Sequence, residues 1–569
     1  MNKINHSLNI DIKALDSQFI GSKWVKSQKS DFPVISPSTE QTIAKVSLPT
    51  IEDADHAIKL ARKTFDNGSW SKLPIKDRIE VCDRLCRAME NRLPELNKAW
   101  VLESGPTISH AEIINDQVGV AVWRQMLKSA KNINWEEQRE DALLFREPIG
   151  TVLSIMTFNG PIVLMGMKII PALLAGCTVI GKHAPESQLT SRLISEAIEE
   201  AELPPGILTL LAADTKVTQY LVSHPSVDMV SLTGGTSIGI EVVKQTADRL
   251  ARTALELGGK SPAIILEDAD LENTLETLVP GSTAFMGQVC VNLSRILVPK
   301  SRENEILEVL ASKYNSFEIG DPLLASSQQG PISVYRGLER TEQYVSSAKQ
   351  EGASIVTGGK KPSKFEKGWW YEPTLISNTN NSMRVVKEEI FGPVTSVMTY
   401  TDYNEAVKLA NETEFGLAAS IYGKDEDLMM NMAKQIQSGS VAINTAGDAN
   451  YAEGDVITIA GAGANATFTI PSGGVTGPIT GVVNAGGGTL YETNDVVTVT
   501  QAGGATGTLT IGGVQDTSIA ITEAYDWWTN TNIDGQESAS GSGETRLSAI
   551  GPRPGTSAYA ADKGVYYDE

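Results

Sequence analysis

Cysteine is scarce in this 569-residue chain: only Cys82, Cys86, Cys177 and Cys290 occur. So few thiols make no disulfide framework and point to a reducing compartment, the cytoplasm. Cys82 and Cys86 are spaced for one helical face, but no second ligand pair follows, so no zinc or other metal centre is expected. Cations are also in short supply, with 48 Lys and Arg against 69 Asp and Glu and a net charge of −21. That balance argues against a nucleic-acid partner, because phosphate binding needs clustered Lys and Arg. The first twenty residues are polar and mixed in charge, unlike a signal peptide. A single run, residues 161–181, is apolar over a length near that of a bilayer span. Lys168 and Pro171 interrupt it and Lys182 follows it. It reads as a buried helix running into a buried strand, and no membrane partner is expected.

What is present divides near residue 447. From about 20 to 447, helical periodicity over 51–66, 76–102 and 188–202 alternates with β-branched runs at 151–156, 178–181, 229–232, 263–266 and 295–298. Such alternation is the pattern of an α/β fold with parallel strands and crossover helices. Beyond 447 the texture changes. No Lys or Arg occurs over 435–544, and residues 448–569 hold 14 Asp and Glu against 3 Lys and Arg. The segment 451–459 returns 40 residues later as 491–499, and each copy leads into a second alternating stretch, 466–470 and 506–511. Strand, Gly-rich turn, strand is the reading of each copy, giving a small all-β repeat module over 448–528. A loose Gly/Ser-rich tail follows over 529–569.

The chemistry-bearing motifs lie in the first part. Thr233-Gly234-Gly235-Thr236-Ser237-Ile238-Gly239 follows a strand over 227–232 and opens a helix expected over 240–252. A Gly-rich turn feeding a helix N-terminus suits a pyrophosphate, since free N–H groups and the helix dipole face the anion. Gly181-Lys182-His183-Ala184-Pro185-Glu186 ends another strand. Lys182 and Glu186 there can bind a ribose or belong to a solvated loop, and His183 reads as a surface residue. Asn159 lies just past the strand 151–156, either as an amide that donates to an oxyanion or as a turn residue. In Gly287-Gln288-Val289-Cys290 a thiol sits 34 residues after Glu256 of Glu256-Leu257-Gly258-Gly259-Lys260. Alone, a cysteine is usually inert in a core and a glutamate solvated. Together they are a nucleophile and a carboxylate able to prime a water. Trp123, Met165 and Phe285 suit an apolar passage and equally suit a core.

In these motifs the stretch from about 20 to 447 resembles the aldehyde dehydrogenase superfamily. The Asn159 loop, Pro171-Ala172-Leu173-Leu174-Ala175-Gly176, Lys182, the turn from Thr233 to Gly239, the Glu256 and Cys290 motifs, and Glu389-Ile390-Phe391-Gly392-Pro393 stand in the family's order. The resemblance implies an N-terminal tail and Rossmann-like dinucleotide-binding domain over 1–256, and an α/β catalytic domain over 257–447. It implies a homo-oligomer, a small-molecule aldehyde as substrate, and NAD or NADP as cofactor. Cys290 would attack the aldehyde carbon, Asn159 and the Cys290 N–H would hold the oxyanion, and Glu256 would activate water. Lys182 and Glu389 would bind ribose hydroxyls and Phe391 would pack near the nicotinamide. Glu186, Thr233, Gly234, Gly235, Gly239, Leu257 and Gly258 would complete the cofactor site.

Three departures accompany the resemblance. Gly235 stands where the family often has Ser. The acidic residue after Lys182 comes at the fourth position instead of the third, so the usual repulsion of a 2′-phosphate does not carry over. After Asn444 the family continues with a Pro-Phe-Gly-Gly loop, a Lys-x-Ser-Gly segment, a helix and a strand. This chain has instead the acidic β repeat, whose texture resembles Gly/Thr-rich modules of phage structural proteins, as in a fusion near 447. Two functions therefore stand side by side. One is an active NAD(P)-dependent aldehyde dehydrogenase with an appended module. The other is a dehydrogenase-like binding or structural protein with little turnover.

Overall fold

The computed structural model describes residue 4 and residues 10–28, 31–139 and 142–445, and beyond these only 450–451, 456–460, 466–469, 475–476, 496–500 and 506–510. Three antiparallel hairpins come early: Ser17–Ile20 with Lys23–Lys26 (β1, β2), Phe32–Ile35 with Thr42–Val46 (β3, β4), and Glu136–Arg139 with Ala142–Phe145 (β5, β6). The body is organised on two larger sheets. The first holds β7 (Thr151–Ile155), β8 (Thr178–His183), β9 (Leu208–Ala212), β10 (Met229–Thr233) and β11 (Arg252–Glu256), all parallel, in the order β11-β10-β7-β8-β9. Every residue of β7, β8 and β9 is buried, as expected of a parallel sheet covered by helices on both faces. The chain winds outward from β7 to β9, then returns to lay β10 on the other side of β7. That reversal is a topological switch point, and it opens a crevice beyond the carboxyl ends of β7 and β10.

The second sheet holds β12 (Pro262–Ile265), β13 (Arg295–Pro299), β14 (Ser354–Thr357), β15 (Thr374–Ser377), β16 (Val394–Tyr400), β17 (Ala418–Gly423) and β18 (Ser440–Thr445). Its order is β14-β15-β16-β13-β12-β17-β18, parallel except between β14 and β15. The change of sheet between Glu256 and Pro262 sets the Glu256-to-Gly259 stretch at the junction of the two.

The expected helix over 51–66 is the helix Ile51–Asp66. Its start is fixed by Thr50, which accepts from Asp53 N while the Asp53 carboxylate accepts from Thr50 N. The single helix expected over 76–102 is two, Ile75–Asn91 and Leu93–Ser104. Pro94 cannot continue a helix from the preceding turn but fits the first turn of a new one. The helix expected over 240–252 instead runs Thr236–Ala247, starting at Gly235 and closing before Leu250, whose φ of 52° is left-handed. Residues 161–181 form the helix Pro161–Ala175, a left-handed Gly176 and the start of β8. Among the described residues no helix is long and apolar enough to cross a membrane. In the repeat region, Val456–Ala460, Ala466–Thr469, Val496–Thr500 and Thr506–Thr510 pair antiparallel in one sheet. The rest of the module read over 448–528, and the tail 529–569, lie outside the described residues.

One buried carboxylate ties helices together. Glu103, 3% exposed, accepts from Leu189 N at 2.7 Å, Thr190 N at 2.9 Å and Thr190 Oγ1 at 2.5 Å, capping the helix Gln188–Glu200 from another helix. Burial nonetheless pushes its pKa up from 4.5 to about 7, against these hydrogen bonds. A carboxyl whose folded value is raised stabilises the fold fully below the unfolded value and loses that contribution as pH rises through the folded one. The melting temperature is therefore expected to fall from pH 5 to pH 8 more steeply in the wild type than in Glu103→Gln. A gap between the two proteins that stays constant with pH would show that Glu103 does not titrate there.

Candidate active site

The carboxyl ends of the first sheet bring the motif residues to one edge. β8 ends on Lys182 and His183, β10 on Thr233, and β11 on Glu256, which stands in register with Thr233. Gly234 N donates to Glu256 O at 2.9 Å, so the ladder continues one residue further and that N–H is already used. Past β7, Thr157 Oγ1 donates to Asn159 Oδ1 at 2.5 Å, which leaves the amide nitrogen as the outward donor. Asn159 Nδ2 donates to Gln288 O at 3.0 Å. The amide thus reaches across to the loop that carries Cys290.

That loop is wound against its own side chains. Phe285 (φ 46°) and Met286 (φ 55°) precede Gly287 (φ 67°), three left-handed residues in succession. Bulky residues seldom adopt this region, and each such residue costs about 1–3 kcal/mol that the surroundings must offset. Close packing supplies the restraint. A Cβ on Gly287 would collide with Gly392 O, one on Gly259 with Cys290 O, and one on Gly258 with the Glu389 carboxylate. Segments 256–259, 287–290 and 389–392 therefore meet at distances that only glycine permits. Glu389 accepts from Gly259 N at 3.1 Å. Phe391, also left-handed at φ 54°, sets its ring edge-on to Phe158 at 6.1 Å, and Phe158 meets Phe285 at 6.4 Å.

Cys290 is half-buried, whereas Cys82, Cys86 and Cys177 are buried. Burial, then the carboxylates of Glu389 and Glu256, push the Cys290 thiol up to about 11, while the N–H groups of Val291 and Cys290 act the other way. Lys168, fully buried, donates from Nζ to Ser231 Oγ at 3.2 Å. Burial brings its ammonium down to about 8, opposed by the nearby charges of Glu256 and Cys290. Sequence reasoning used Lys168 only to reject a membrane span. Its signal was available: a lysine in an apolar helix must either leave the core or meet a partner there.

At the other end, Lys182 is 9% exposed. Burial lowers its pKa to about 8, Glu186 and Asp214 support the charge, and Arg336 opposes it. Glu186 is paired with Arg336, Nη2 to Oε1 at 2.5 Å. Thr233 Oγ1 is buried with no partner among the described residues. Gly235 is exposed with open space where a Cβ would stand, and it precedes a helix whose first N–H groups have no intrahelical acceptor. Gly239 and Leu257 shape the site from behind: a Cβ on Gly239 would press on Leu257, which packs with Ile155, Leu232 and Val242. A buried lysine, an unpartnered hydroxyl and an open helix start fit a dinucleotide.

One expectation changes, and one alternative left open is decided. His183 is not a surface residue but fully buried, because β8 lies between β7 and β9 under helices on both faces. Burial, then Lys182, lowers it to about 3, so the imidazole is neutral. Trp123 and Met165 belong to the main core, while Phe285 lines a cavity of about 280 Å³ with His110, Ile113 and Phe317. Among the described residues no group of three or more His, Cys, Asp or Glu is disposed to hold a metal ion.

A crevice at the switch point of a parallel sheet, with a half-buried thiol in the loop beside it, marks the nucleotide-binding α/β class. More narrowly, the chain belongs to the aldehyde dehydrogenase family, whose family model matches residues 24–461, past the change of texture near 447. It is 34% identical over 434 residues to the geranial dehydrogenase of Castellaniella defragrans, covering 75% of this chain and 90% of that protein. A putative aldehyde dehydrogenase of Staphylococcus saprophyticus is 33% identical, covering 76% of this chain and 91% of that one. Among solved structures, betaine aldehyde dehydrogenase from Staphylococcus aureus in complex with NAD+ superposes with a TM-score of 0.73 at 32% identity, covering 75% of this chain and 87% of that one. These relatives are all named as dehydrogenases, and they lend no support to a non-catalytic binding role.

Proposed function

We propose that the protein oxidises a small-molecule aldehyde to the carboxylic acid with NAD, through a thiohemiacetal and then a thioester on Cys290. The observation that carries this reading is the meeting of the Asn159 amide with the Cys290 loop, beside the glycine contacts that set Glu389 and the Glu256 segment against it. NAD held in the related Staphylococcus aureus structure supports NAD here. Lys182 and Glu389 would hold its ribose hydroxyls, with Thr233 and the start of the helix Thr236–Ala247 at the pyrophosphate. When bound, NAD supplies the hydride acceptor.

The protein's own groups do the rest. The Lys168 ammonium favours the charged forms of Glu256 and Cys290. Once deprotonated, Cys290 adds to the aldehyde carbon, and the new oxyanion takes hydrogen bonds from Asn159 Nδ2 and the Cys290 N–H. After hydride loss, Glu256 removes a proton from water, the hydroxide adds to the thioester, and the C–S bond breaks to release the acid. The change of sheet between Glu256 and Pro262 supports a division near 256/257. Four unpaired thiols suit the cytoplasm.

The test is aldehyde-dependent NADH formation by the purified chain. Wild type and Cys290→Ala equally silent, while NAD still binds, would overturn the reading. Asn159→Ala is expected to lower kcat on the order of 10²-fold, as loss of one oxyanion donor does. A fall confined to KM would remove Asn159 from that role.

A further inference from the structure

Just ahead of β12, Lys260 is 2% exposed, and its Nζ has no hydrogen-bond partner among the described residues. Beside it, at the start of β13, Arg295 is wholly buried and donates to the carbonyls of Lys260, Leu409 and Ala410 at 2.8, 3.0 and 2.8 Å. Two buried cations side by side need an anion within reach, because charge taken out of water is costly unless it is compensated. The carboxylates within electrostatic reach of Lys260 are Glu389 and Glu388. Glu388 is exposed and is shared with Tyr344 Oη at 2.5 Å and Arg384 Nε at 3.1 Å, so its support for Lys260 is screened by solvent and by Arg384. Glu389 is half-buried and accepts from Gly259 N. Lys260 and Glu389 line one cavity of about 10 Å³, together with Asn292, whose Oδ1 is also buried without a partner among the described residues. A cavity of that size admits one water, which can accept from the ammonium and donate to the carboxylate and the amide oxygen.

We propose that Lys260 is the positioning residue for Glu389: across this cavity its ammonium holds the carboxylate charged and in place at the ribose end of the site. The role at the ribose rests on the dinucleotide reading given above, whereas the pairing of the two charges does not. Burial raises the Glu389 carboxyl, while Gly259 N, Lys260 and Arg340 act the other way. Burial, then Arg295, brings Lys260 down to about 7, with Glu389 and Glu388 supporting its charge. Cys290, at about 11, stays a neutral thiol between pH 6 and 9. The pair therefore has its cation at pH 6 and has lost it at pH 9, where Glu389 is ionised without help.

The pairing is tested on the full chain without nucleotide, by thermal melting of wild type, Glu389→Gln, Lys260→Met and the double variant. Exchange of a buried charge for an apolar group of similar volume is tolerated, so Lys260→Met is expected to fold. Lys260→Gln, neutral and able to hold the same water, completes the cycle if it does not. At pH 6, Glu389→Gln should lower the melting temperature more in the wild type than in the Lys260 variant, and this difference should shrink at pH 9. Equal lowering in both backgrounds at pH 6 would overturn the pairing. At the cofactor, calorimetric titration with NAD should show Lys260→Met about tenfold weaker than wild type at pH 6 and less than about threefold weaker at pH 9, in keeping with a shift of about one pKa unit at Glu389. The same loss at both pH values would mark Lys260 as merely structural and overturn the positioning role. A wild type that binds no NAD would sink the dinucleotide reading and the ribose role with it, and the melting cycle would still judge the pairing.

Discussion

Cys290→Ala is expected to abolish aldehyde oxidation, a loss on the order of 10⁴-fold or more, because an attacking thiol has no substitute in this chain. Cys82 and Cys86 are raised to about 12 and Cys177 to about 11 by burial, and all three are packed in the main core. Cys290 alone among the four is partly open to solvent. Iodoacetamide should accordingly modify one thiol per chain in the native state, and none in the alanine variant. The thiol's raised value sets the direction of the pH dependence. With Cys290 at about 11, the thiolate fraction and hence the alkylation rate should climb about tenfold per pH unit between 7 and 9, without a plateau near neutrality. A variant keeping more than a tenth of wild-type activity would rule out covalent catalysis at this position.

Glu256→Gln should behave differently. Steady-state turnover is expected to drop about 10²–10⁴-fold, the range for a lost general base. The first turnover should survive, seen as a burst of roughly one NADH per site in rapid mixing, because water activation follows hydride loss. Removing the carboxylate also removes one of the charges that raise Cys290. Alkylation of Cys290 should therefore be faster in the glutamine variant at a given pH. Loss of the burst together with the steady state would move Glu256 from water activation to an earlier step.

How far the fold and site could be read from sequence depended on the range of the contact. The Cys290 and Glu256 motifs, the Asn159 loop and the strand starts are local patterns, and the α/β alternation follows from periodicity alone. What escaped is set by residues far apart in the chain. Lys168 meets Ser231, 63 residues on, and Arg336 meets Glu186, 150 residues back. No spacing rule connects such positions. His183 reads as a surface residue because its neighbours in sequence are a lysine and a loop, whereas its neighbours in space are β7 and β9. The break at Arg92 was visible in Pro94 but outweighed by strong helical periodicity on both sides.

Gly258 and Gly259 deserve reading as a pair. A Cβ on the first would meet the carboxylate of Glu389, a Cβ on the second the carbonyl of Cys290, and a single peptide plane joins the two positions. Such planes resist twisting. A side chain at either position would therefore push on the segment that carries Glu389 or on the one that carries Cys290.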